Sequence, residues 1–443
     1  MLQPLNSSHL EQTRIGIIGS GFVSRGLVLA FANCHDLKVT AVLTRTASRQ
    51  RSDYPVPELL TDSVYHLIDR ADLVVLACGD PIYSTEVIDV VVGAGIPVVT
   101  MDSEFQVTTG SWFVDKGYLT EAEGDQPGTL AALRKNVLEM GFRPMVYGNV
   151  KGFLNHTPTE EEMKHWAHRQ GISLQQVTSF TDGTKLQIEQ ALVANAFRAG
   201  IARRGMIGLR CLDIQFAGDE LAAVAAEKGE PIADYVRSSH LPAGVFIVCA
   251  HDDKQQPFLR YLKLGEGPYY TLMHNYHLCH LEVAKTIRQV ISGAPPLLNN
   301  TELPHVSVAA VAKKRLEVGD RIERGIGSFE IRGEAVEIDH FPDHVPVGLM
   351  AGAIVKRRVD PGAILNLDDV ELPESKAVTC WHRIRERRLI TSHLRVPMAS
   401  ASAALFSTRS GADSVTAALA EFWHGLVAGQ EMLLNGSLAV LGL

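Results

Sequence analysis

The stretch Arg14–Gly26, RIGIIGSGFVSRG, decides the fold of the first third of this 443-residue chain. An apolar run ends at Gly19, Gly21 and Ser24 follow at the spacing of a G-x-G-x-x-G turn, and an apolar helix pattern continues to about Phe31. The first glycine allows a sharp turn off a strand. The second lets a pyrophosphate approach the backbone at the positive end of a helix. Because a small serine replaces the third glycine, close packing is still allowed, and the pattern predicts a dinucleotide-binding loop of the Rossmann type.

The residues that follow the next strands complete the predicted cofactor site. After the second strand, Lys38–Leu43, the chain carries Thr44-Arg45 instead of the acidic residue that usually binds the ribose of NAD. A guanidinium beside hydroxyls suits a 2′-phosphate, so we expect NADPH, with Arg49 as a second basic candidate. The predicted cofactor-binding residues are Gly19, Ser20, Gly21, Phe22, Val23, Thr44, Arg45, Gly79, Asp80 and Pro81.

Strands and helices alternate through the first 150 residues, which predicts a parallel sheet with right-handed crossovers. Further along, Val177–Thr181 is predicted as a strand, and Gly244–Ala250 with Phe258–Leu264 as a hairpin. The predicted fold class is α/β, with a Rossmann domain over 14–150, an α+β catalytic domain over 151–300, a small C-terminal β-rich domain over 301–385 and a tail over 386–443. In the tail, Val415–Leu426 has the spacing of one amphipathic helix.

Composition excludes several classes of function. The chain is 46% hydrophobic and 21% charged, with a formal net charge of -8, which is typical of a globular protein and argues against nucleic acid or an anionic membrane as partner. The six cysteines form no C-x-x-C pair, so free thiols in a reducing compartment are expected. With no apolar signal core and no apolar run of about 18 residues, the expected location is the cytoplasm. We expect a small-molecule substrate and a homo-oligomer.

A lysine and a carboxylate in the run D-G-T-K-x-x-x-E are candidates for proton transfer. Lys185 and Glu189 are four residues apart and therefore share one face of a helix near its N-terminus. A lysine beside a reacting oxygen can donate a proton to an alkoxide or take one from an alcohol, and Glu189 can orient it. A plain helix salt bridge is the alternative interpretation.

Asp102-Ser103-Glu104 follows the fourth predicted strand directly, at the carboxyl edge of the sheet where ligands bind in open α/β folds. Its two carboxylates suit Mg²⁺, Mn²⁺ or substrate hydroxyls, whereas a helix cap is the alternative for Asp102. Asp125 precedes a helix and is either its cap or a substrate ligand. His277 and His280 form an H-x-x-H pair, but without the acidic residue of H-E-x-x-H we interpret them as structural or pocket groups instead of zinc ligands.

Several of these motifs resemble one bacterial oxidoreductase family. The stretches TEAEGDQPG (120–128), SFTDGTKLQIEQALVAN (179–195), YLKLGEGPYYT (261–271) and YHLCHLEV (276–283) are similar to proteins described as homoserine-dehydrogenase-like or deoxyxylulose-phosphate-reductoisomerase-like. The segment IVKRRVDPGAILNLDDVEL (354–372) is similar to a SAF domain. The resemblance covers about residues 14–385 and implies NAD(P)H chemistry on a small alcohol or carbonyl compound.

The resemblance also supplies roles and one departure. True reductoisomerases bind metal through a D-S-E run, and their Lys-x₉-Asn spacing matches Lys185 to Asn195. They continue with a phosphate-binding lysine and a metal-binding glutamate where this chain has Ala196 and Ala199. No metal ligand is therefore firmly assigned, with Asp102 and Glu104 the candidates for Mg²⁺ or Mn²⁺. The predicted catalytic residues are Lys185, Glu189, Asp102 and Glu104, and the predicted substrate residues are Asp125, Lys151, Asn195 and His277.

Three functions remain open from the sequence. The first is an NADPH-dependent dehydrogenase or reductase of a sugar phosphate, a polyol phosphate or a homoserine-like alcohol. The second is a metal-dependent reductoisomerase of a ketose phosphate, since a Lewis acid helps such a rearrangement. The third is a non-catalytic nucleotide- or carbohydrate-binding protein.

Overall fold

The computed structural model describes residues 12–45 and 53–407, with side chains as far as residue 391. The chain divides into two compact units, Met1–Arg385 and Glu386–Leu443. Helix α12, Lys376–Ser407, is the last described element. The predicted tail helix at 415–426 and the candidate Arg49 lie outside the described residues.

The N-terminal layer is a six-stranded parallel sheet with helices on its faces. Its strands are β1 (Thr13–Ile18), β2 (Leu37–Leu43), β3 (Leu60–Thr61), β4 (Leu73–Leu76), β5 (Val98–Thr100) and β6 (Leu119–Glu121), and its helices are α1 (Phe22–Phe31), α2 (Val64–Arg70), α3 (Pro81–Gly93) and α4 (Ser103–Thr108). The strand order β3-β2-β1-β4-β5-β6 reverses between β1 and β4. This confirms the predicted Rossmann-like fold and places the ligand groove at the carboxyl ends of β1 and β4.

A second, mixed sheet follows. Its strands are β7 (Arg143–Lys151), β8 (Leu209–Arg210), β9 (Ile232–Arg237), β10 (Val245–Ala250) and β11 (Tyr269–His274), in the order β11-β10-β7-β9-β8. Its helices are α5 (Gln126–Glu139), α6 (Glu160–Gln170), α7 (Leu174–Thr181), α8 (Thr184–Phe197), α9 (Ile214–Lys228) and α10 (Gln256–Tyr261). Helix α11 (Val283–Ile291) returns to the Rossmann core, where Val283 and Ile287 are buried in one cluster with Leu27. Every residue of α8 from Thr184 to Asn195 is buried, so this helix lies inside the protein and not on its surface.

Two predicted strands are wrong, and local capping explains both. Val177–Thr181 belongs to α7, because Ser173 and Gln176 form a capping box that starts a helix there. The residues 256–261 form α10, which has a proline in its first turn, so 258–264 is no strand. The antiparallel partner of β10 is instead β11.

A small β-rich region packs against α8. Its strands are β12 (Val306–Ala312), β13 (Arg321–Ile322), β14 (Ile331–Glu337), β15 (Ala353–Val355) and β16 (Val370–Glu371). Strands β12 and β14 pair antiparallel, and β13, β15 and β16 form a separate three-stranded sheet. One buried apolar cluster runs from α5 and α8 into these strands, so α8 is covered by the second sheet on one side and by the β-rich region on the other. Among the described helices, none is long and apolar enough to cross a membrane.

Candidate active site

The glycine loop after β1 has the geometry that a dinucleotide requires. Gly19 has φ +105°, and a Cβ there would collide with the carbonyl oxygen of Ala77. A Cβ on Gly21 would meet nothing within 4 Å, so the space above the first turn of α1 is open. No side chain caps this helix at Gly21. Its first backbone N–H groups are therefore available for a pyrophosphate, and the loop fits a dinucleotide cofactor.

Arg45, the candidate for a 2′-phosphate, reaches across the groove. Its Nη1 donates to Oδ2 of Asp80 at 2.7 Å, and its guanidinium lies 4.8 Å from the ring centroid of Tyr83. Asp80 also caps α3. A cavity of about 260 Å³ adjoins this ion pair and is lined by residues of the Gly79-Asp80-Pro81 turn and of the loop 323–326. Arg45 and Asp80, both predicted cofactor residues, are thus an ion pair. The Asp80 carboxylate would compete with a 2′-phosphate for the Arg45 guanidinium.

The other predicted cofactor residues lie around the same groove. Ser20 and Thr44 are joined through their hydroxyls at 2.9 Å, which links the glycine loop to the end of β2. Phe22 and Val23 begin α1, and the side chain of Phe22 is exposed. Gly79 has φ +71° with open space where a Cβ would stand, so a flat ring can approach this turn.

Lys185 is the centre of a buried polar cluster at the carboxyl edge of the Rossmann sheet. Its Nζ donates to Ser103 Oγ at 2.8 Å and to Glu104 Oε2 at 2.9 Å. Asp125 Oδ2 lies 3.8 Å away and Glu189 Oε1 3.9 Å away. The lysine side chain is only 10% exposed. Helix α8, the first turn of α4 and the residue before α5 thus bring together four predicted site residues, which are Lys185, Glu189, Glu104 and Asp125.

The charges of this cluster keep the lysine protonated. Burial alone would lower the pKa of Lys185, but the nearby Asp125, Glu104 and Glu189 outweigh burial and hold this pKa well above its ordinary value. Burial raises the pKa of Glu189 to about 7, although Lys185 opposes the shift. The arrangement therefore contains a permanent ammonium donor beside a carboxyl group that exchanges its proton near neutral pH.

Glu121, which was not assigned a role from the sequence, lies beneath the cluster. It is fully buried and accepts a hydrogen bond from Gln106 Nε2 at 3.3 Å. Burial and the adjacent Asp125 raise the pKa of Glu121 well above its ordinary value. A second carboxylate this close in a buried site disfavours the ionised form of Glu121.

Asp102 has a different position from Glu104, although only Ser103 separates them. Its carboxylate accepts hydrogen bonds from Gly79 N at 2.9 Å, Ser84 Oγ at 3.0 Å and Phe105 N at 3.1 Å. It caps α4 and holds the turn at Gly79, and it makes no direct bond to Lys185. These contacts give Asp102 a positioning role in this structure, and its catalytic role stays a prediction.

The two candidate metal ligands are separated for the same reason. The Asp102 carboxylate is held by backbone and hydroxyl donors, whereas Glu104 binds Lys185. Among the described side chains, which extend to residue 391, no three His, Cys, Asp or Glu residues are grouped so that they could hold a metal ion. In this arrangement Asp102 and Glu104 do not fit a shared Mg²⁺ or Mn²⁺.

A row of amides connects the cluster to the end of β7. Asn149 Nδ2 donates to Glu189 Oε2 at 3.3 Å and also to Gln126 Oε1. Gln126 Nε2 lies 3.3 Å from His277 Nε2, and Lys151 follows Asn149 on the same face of the strand. Neither amide was predicted, although the isolated Asn149 in the apolar run MVYGNV is a usable signal.

Two other predicted groups lie elsewhere. Asn195 is ten residues from Lys185 along α8, about 15 Å at the rise of an α-helix. Its amide binds Asn300 Oδ1 at 2.8 Å and the carbonyl of Val306 at 2.9 Å, so it fixes the segment leading into β12. In this structure Asn195 has a structural contact, and its substrate role stays a prediction.

His280 does not face the same partners as His277. Its ring packs on Gly26 of α1, where a Cβ would collide with the ring atoms. Gly26, the first glycine after the cofactor loop, therefore allows the segment containing His280 to lie against the Rossmann helix. In the H-x-x-H pair, His280 therefore makes a structural contact with α1, whereas His277 lies beside Gln126.

Two family models match the chain and correspond to this architecture. A Rossmann-like domain matches residues 1–107. The catalytic domain described as "Oxidoreductase DRL" matches residues 124–283, which include Lys185 and Glu189. The chain is an oxidoreductase. These matches support the resemblance stated from the sequence at the level of a Rossmann-like domain joined to this catalytic domain. No curated protein matches the sequence of this chain.

Solved structures share parts of the fold at low identity. A probable dehydrogenase from Thermotoga maritima is 14% identical, with 65% of this chain and 91% of that chain covered and a TM-score of 0.38. A myo-inositol dehydrogenase from Corynebacterium glutamicum is 11% identical, with 64% and 90% covered and a TM-score of 0.40. A UDP-N-acetylglucosamine 3-dehydrogenase from Acidithiobacillus ferrooxidans is 11% identical, with 65% and 92% covered and a TM-score of 0.39.

Proposed function

We propose that this oxidoreductase is an NADPH-dependent dehydrogenase or reductase of a small hydroxy or carbonyl compound. The observation that carries the proposal is the buried ammonium of Lys185, held between Ser103 and Glu104 at the carboxyl edge of the dinucleotide-binding sheet. A sugar phosphate, a polyol phosphate and a homoserine-like alcohol are the candidate substrates. The homoserine-dehydrogenase-like assignment and a SAF-like domain over 301–385 belong to the same proposal.

The residues of the cluster divide the proton chemistry between them. NADPH, when bound, supplies a hydride to the substrate carbon. Because Lys185 is protonated, its Nζ donates a proton to the substrate oxygen, and it is not a base at the start of the reduction. Glu189 Oε1, 3.9 Å from this Nζ, returns a proton to the lysine. In the direction of alcohol oxidation the same carboxylate receives the proton that passes through Lys185.

The preference for NADPH rests on Arg45. No carboxylate follows β2 directly, but Asp80 holds the guanidinium from the other side of the groove at 2.7 Å. A 2′-phosphate carries more charge than this one carboxylate and offers three acceptor oxygens, so it can draw Arg45 away. We expect the ion pair to lower the affinity for NADPH without changing that for NADH.

The test is a titration with NADPH and with NADH, followed by nicotinamide fluorescence. Arg45→Glu should weaken NADPH binding far more than NADH binding, and Asp80→Asn should strengthen NADPH binding selectively. Arg357→Glu, in an exposed ion pair with Asp368 in the β-rich region, is the matched control and should change neither. An equal loss of both nucleotides in Arg45→Glu would show that Arg45 does not read the 2′-phosphate.

Turnover distinguishes the remaining alternatives. Candidate sugar phosphates and homoserine are added with NADPH or NADP, in the presence and absence of Mg²⁺. Metal-independent turnover supports the dehydrogenase, whereas strictly Mg²⁺-dependent turnover of a ketose phosphate would favour the reductoisomerase. Failure to bind either nucleotide would overturn the proposal. A non-catalytic carbohydrate-binding protein would then be the remaining alternative.

A further inference from the structure

A cavity of about 500 Å³ lies beside the catalytic cluster, between the end of β7 and the helical pair α6 and α7. Most of its wall is apolar or aromatic, and Met163 and Val177 are fully buried parts of it. The side chains that matter for its chemistry are Lys151, Phe153, Met163, Trp166, Val177 and Phe180. None of the cavity's lining residues is acidic.

Lys151 supplies the positive charge of this cavity. Its Nζ lies 5.7 Å from the ring centroid of Phe180. Among the described residues it has neither an ion-pair partner nor a hydrogen-bond partner for this ammonium. Burial lowers the pKa of Lys151, although the charge of Glu189 opposes the shift. A partly buried ammonium without a local counter-ion favours an anionic ligand.

The position of Lys151 connects the cavity to the reacting groups. Asn149 and Lys151 are two residues apart on β7 and point to the same face, about 7 Å apart along the strand. Asn149 contacts Glu189 directly, and Val150 points to the opposite face, where it packs with the residues of α9. A small molecule can therefore bind Lys151 through one end and present another to Glu189 and Lys185.

We propose that this cavity is the substrate pocket and that it takes a small anionic compound with an apolar or aromatic body, such as an aryl-substituted hydroxy or oxo acid. This inference rests on the proposed function, and among small hydroxy or carbonyl compounds it favours an aromatic acid over the sugar phosphates, polyol phosphates and homoserine-like alcohols. Aromatic and aliphatic walls gain from burying an apolar body. Gln170 and Thr181 also line the cavity and can pair with one or two hydroxyls. The further hydroxyls of a polyol would lie unpaired against Met163, Val177 and Phe180, which costs binding energy.

Binding of simple probes to the full-length chain tests the pocket without knowledge of the natural substrate. We would measure 3-phenylpropanoate by isothermal titration calorimetry, beside the neutral 3-phenylpropanamide and the truncated anion propanoate. Both comparison probes should bind at least roughly tenfold more weakly, since each loses either the charged hydrogen bond or the apolar contact. Phenethyl phosphate is measured in parallel, and the tighter of the two aromatic anions identifies the acidic group as carboxylate or phosphate.

Variants then assign the binding to these side chains. Lys151→Met should weaken 3-phenylpropanoate roughly tenfold or more, Lys151→Arg should retain binding, and Trp166→Ala should weaken it several-fold by removing one wall. Lys164→Met is the control, because Lys164 lies on the same helix as Trp166, is 62% exposed and pairs with Glu160. Thermal denaturation of each variant verifies folding, and Trp166→Ala tests the site even where a change at Lys151 unfolds the chain.

Three results would overturn the pocket. The first is that neither 3-phenylpropanoate nor phenethyl phosphate binds. The second is that a folded Lys151→Met protein binds 3-phenylpropanoate as tightly as the wild type does. The third is that erythrose 4-phosphate binds more tightly than phenethyl phosphate. The nucleotide titration separates this inference from the proposed function. NADPH binding without binding of an aromatic anion refutes the pocket alone. If an aromatic anion binds but neither NADPH nor NADH does, the anion pocket is supported and the proposed oxidoreductase mechanism is refuted.

Discussion

Glu189→Gln should stabilise the protein at alkaline pH, although it alters the catalytic cluster. The Glu189 side chain is 5% exposed, and burial raises its pKa from an ordinary 4.5 to about 7. Between these two values the folded protein keeps a proton that the unfolded chain has released. The stability contributed by this group is therefore present at low pH and is lost as pH rises toward 7. The gap of about 2.5 in pKa corresponds to roughly 3 kcal/mol.

Glutamine cannot ionise, so the variant avoids this loss. Its side-chain oxygen can still accept from Asn149, which donates to Glu189 in the wild type. The raised pKa of Glu189 already includes its attraction to Lys185, so this attraction is not added again to the free-energy difference. We expect the two proteins to differ little near pH 5, and the variant to be more stable by up to about 3 kcal/mol near pH 8.

Urea denaturation at several pH values between about 5 and 8 measures this difference. Glu160→Gln is the control, because the Glu160 side chain is 53% exposed and pairs only with Lys164 at the surface. A Glu189→Gln protein that is less stable than wild type near pH 8 would refute the reasoning. It would mean that Glu189 is a fully ionised partner of Lys185 and cannot store a proton for it.

Three further changes test the cluster and its supports. Lys185→Met should lower kcat roughly 10²-fold or more with little change in the Kd of NADPH, and wild-type turnover would contradict the assignment. Lys313→Met leaves a buried carboxylate without its partner at 2.7 Å and should cost about 3–5 kcal/mol in urea denaturation. Gly26→Ala forces a methyl group into the ring of His280 and should cost about 1–3 kcal/mol. Gly93→Ala, whose Cβ meets nothing within 4 Å, should not destabilise the protein.

The Rossmann-like sheet was predictable because its signals are local. A strand, a glycine turn and a helix follow one another within the 13 residues of Arg14–Gly26, and the same alternation then repeats. The link between Arg45 and Asp80 was not predictable in the same way. These residues are 35 positions apart. They meet because Arg45 follows β2 and Asp80 follows β4, and these two strands flank β1 in the sheet.

The catalytic cluster shows the same limit. Helical periodicity places Lys185 beside Glu189, but it does not bring Lys185 to Glu104, 81 positions away. Asp102 and Glu104 looked equivalent in the sequence. The start of α4 separates them, since the residue before a helix turns its carboxylate back to the helix N–H groups. Asn195 was assigned by spacing alone, and the length of α8 carries it away from the site.

The β-rich region supports α8, the helix that carries Lys185 and Glu189. Lys313 from the end of β12 pairs with Asp182 at 2.7 Å, just before this helix. The backbone N–H of Gly333 in β14 donates to the Thr184 hydroxyl at 2.8 Å. Both contacts lie within three residues of Lys185, whose ammonium must remain within hydrogen-bonding distance of Ser103 and Glu104. In the proposed mechanism a displacement of about 1 Å at this position is enough to misalign the proton donor, so we expect the fit between β12, β14 and α8 to set the geometry of proton transfer.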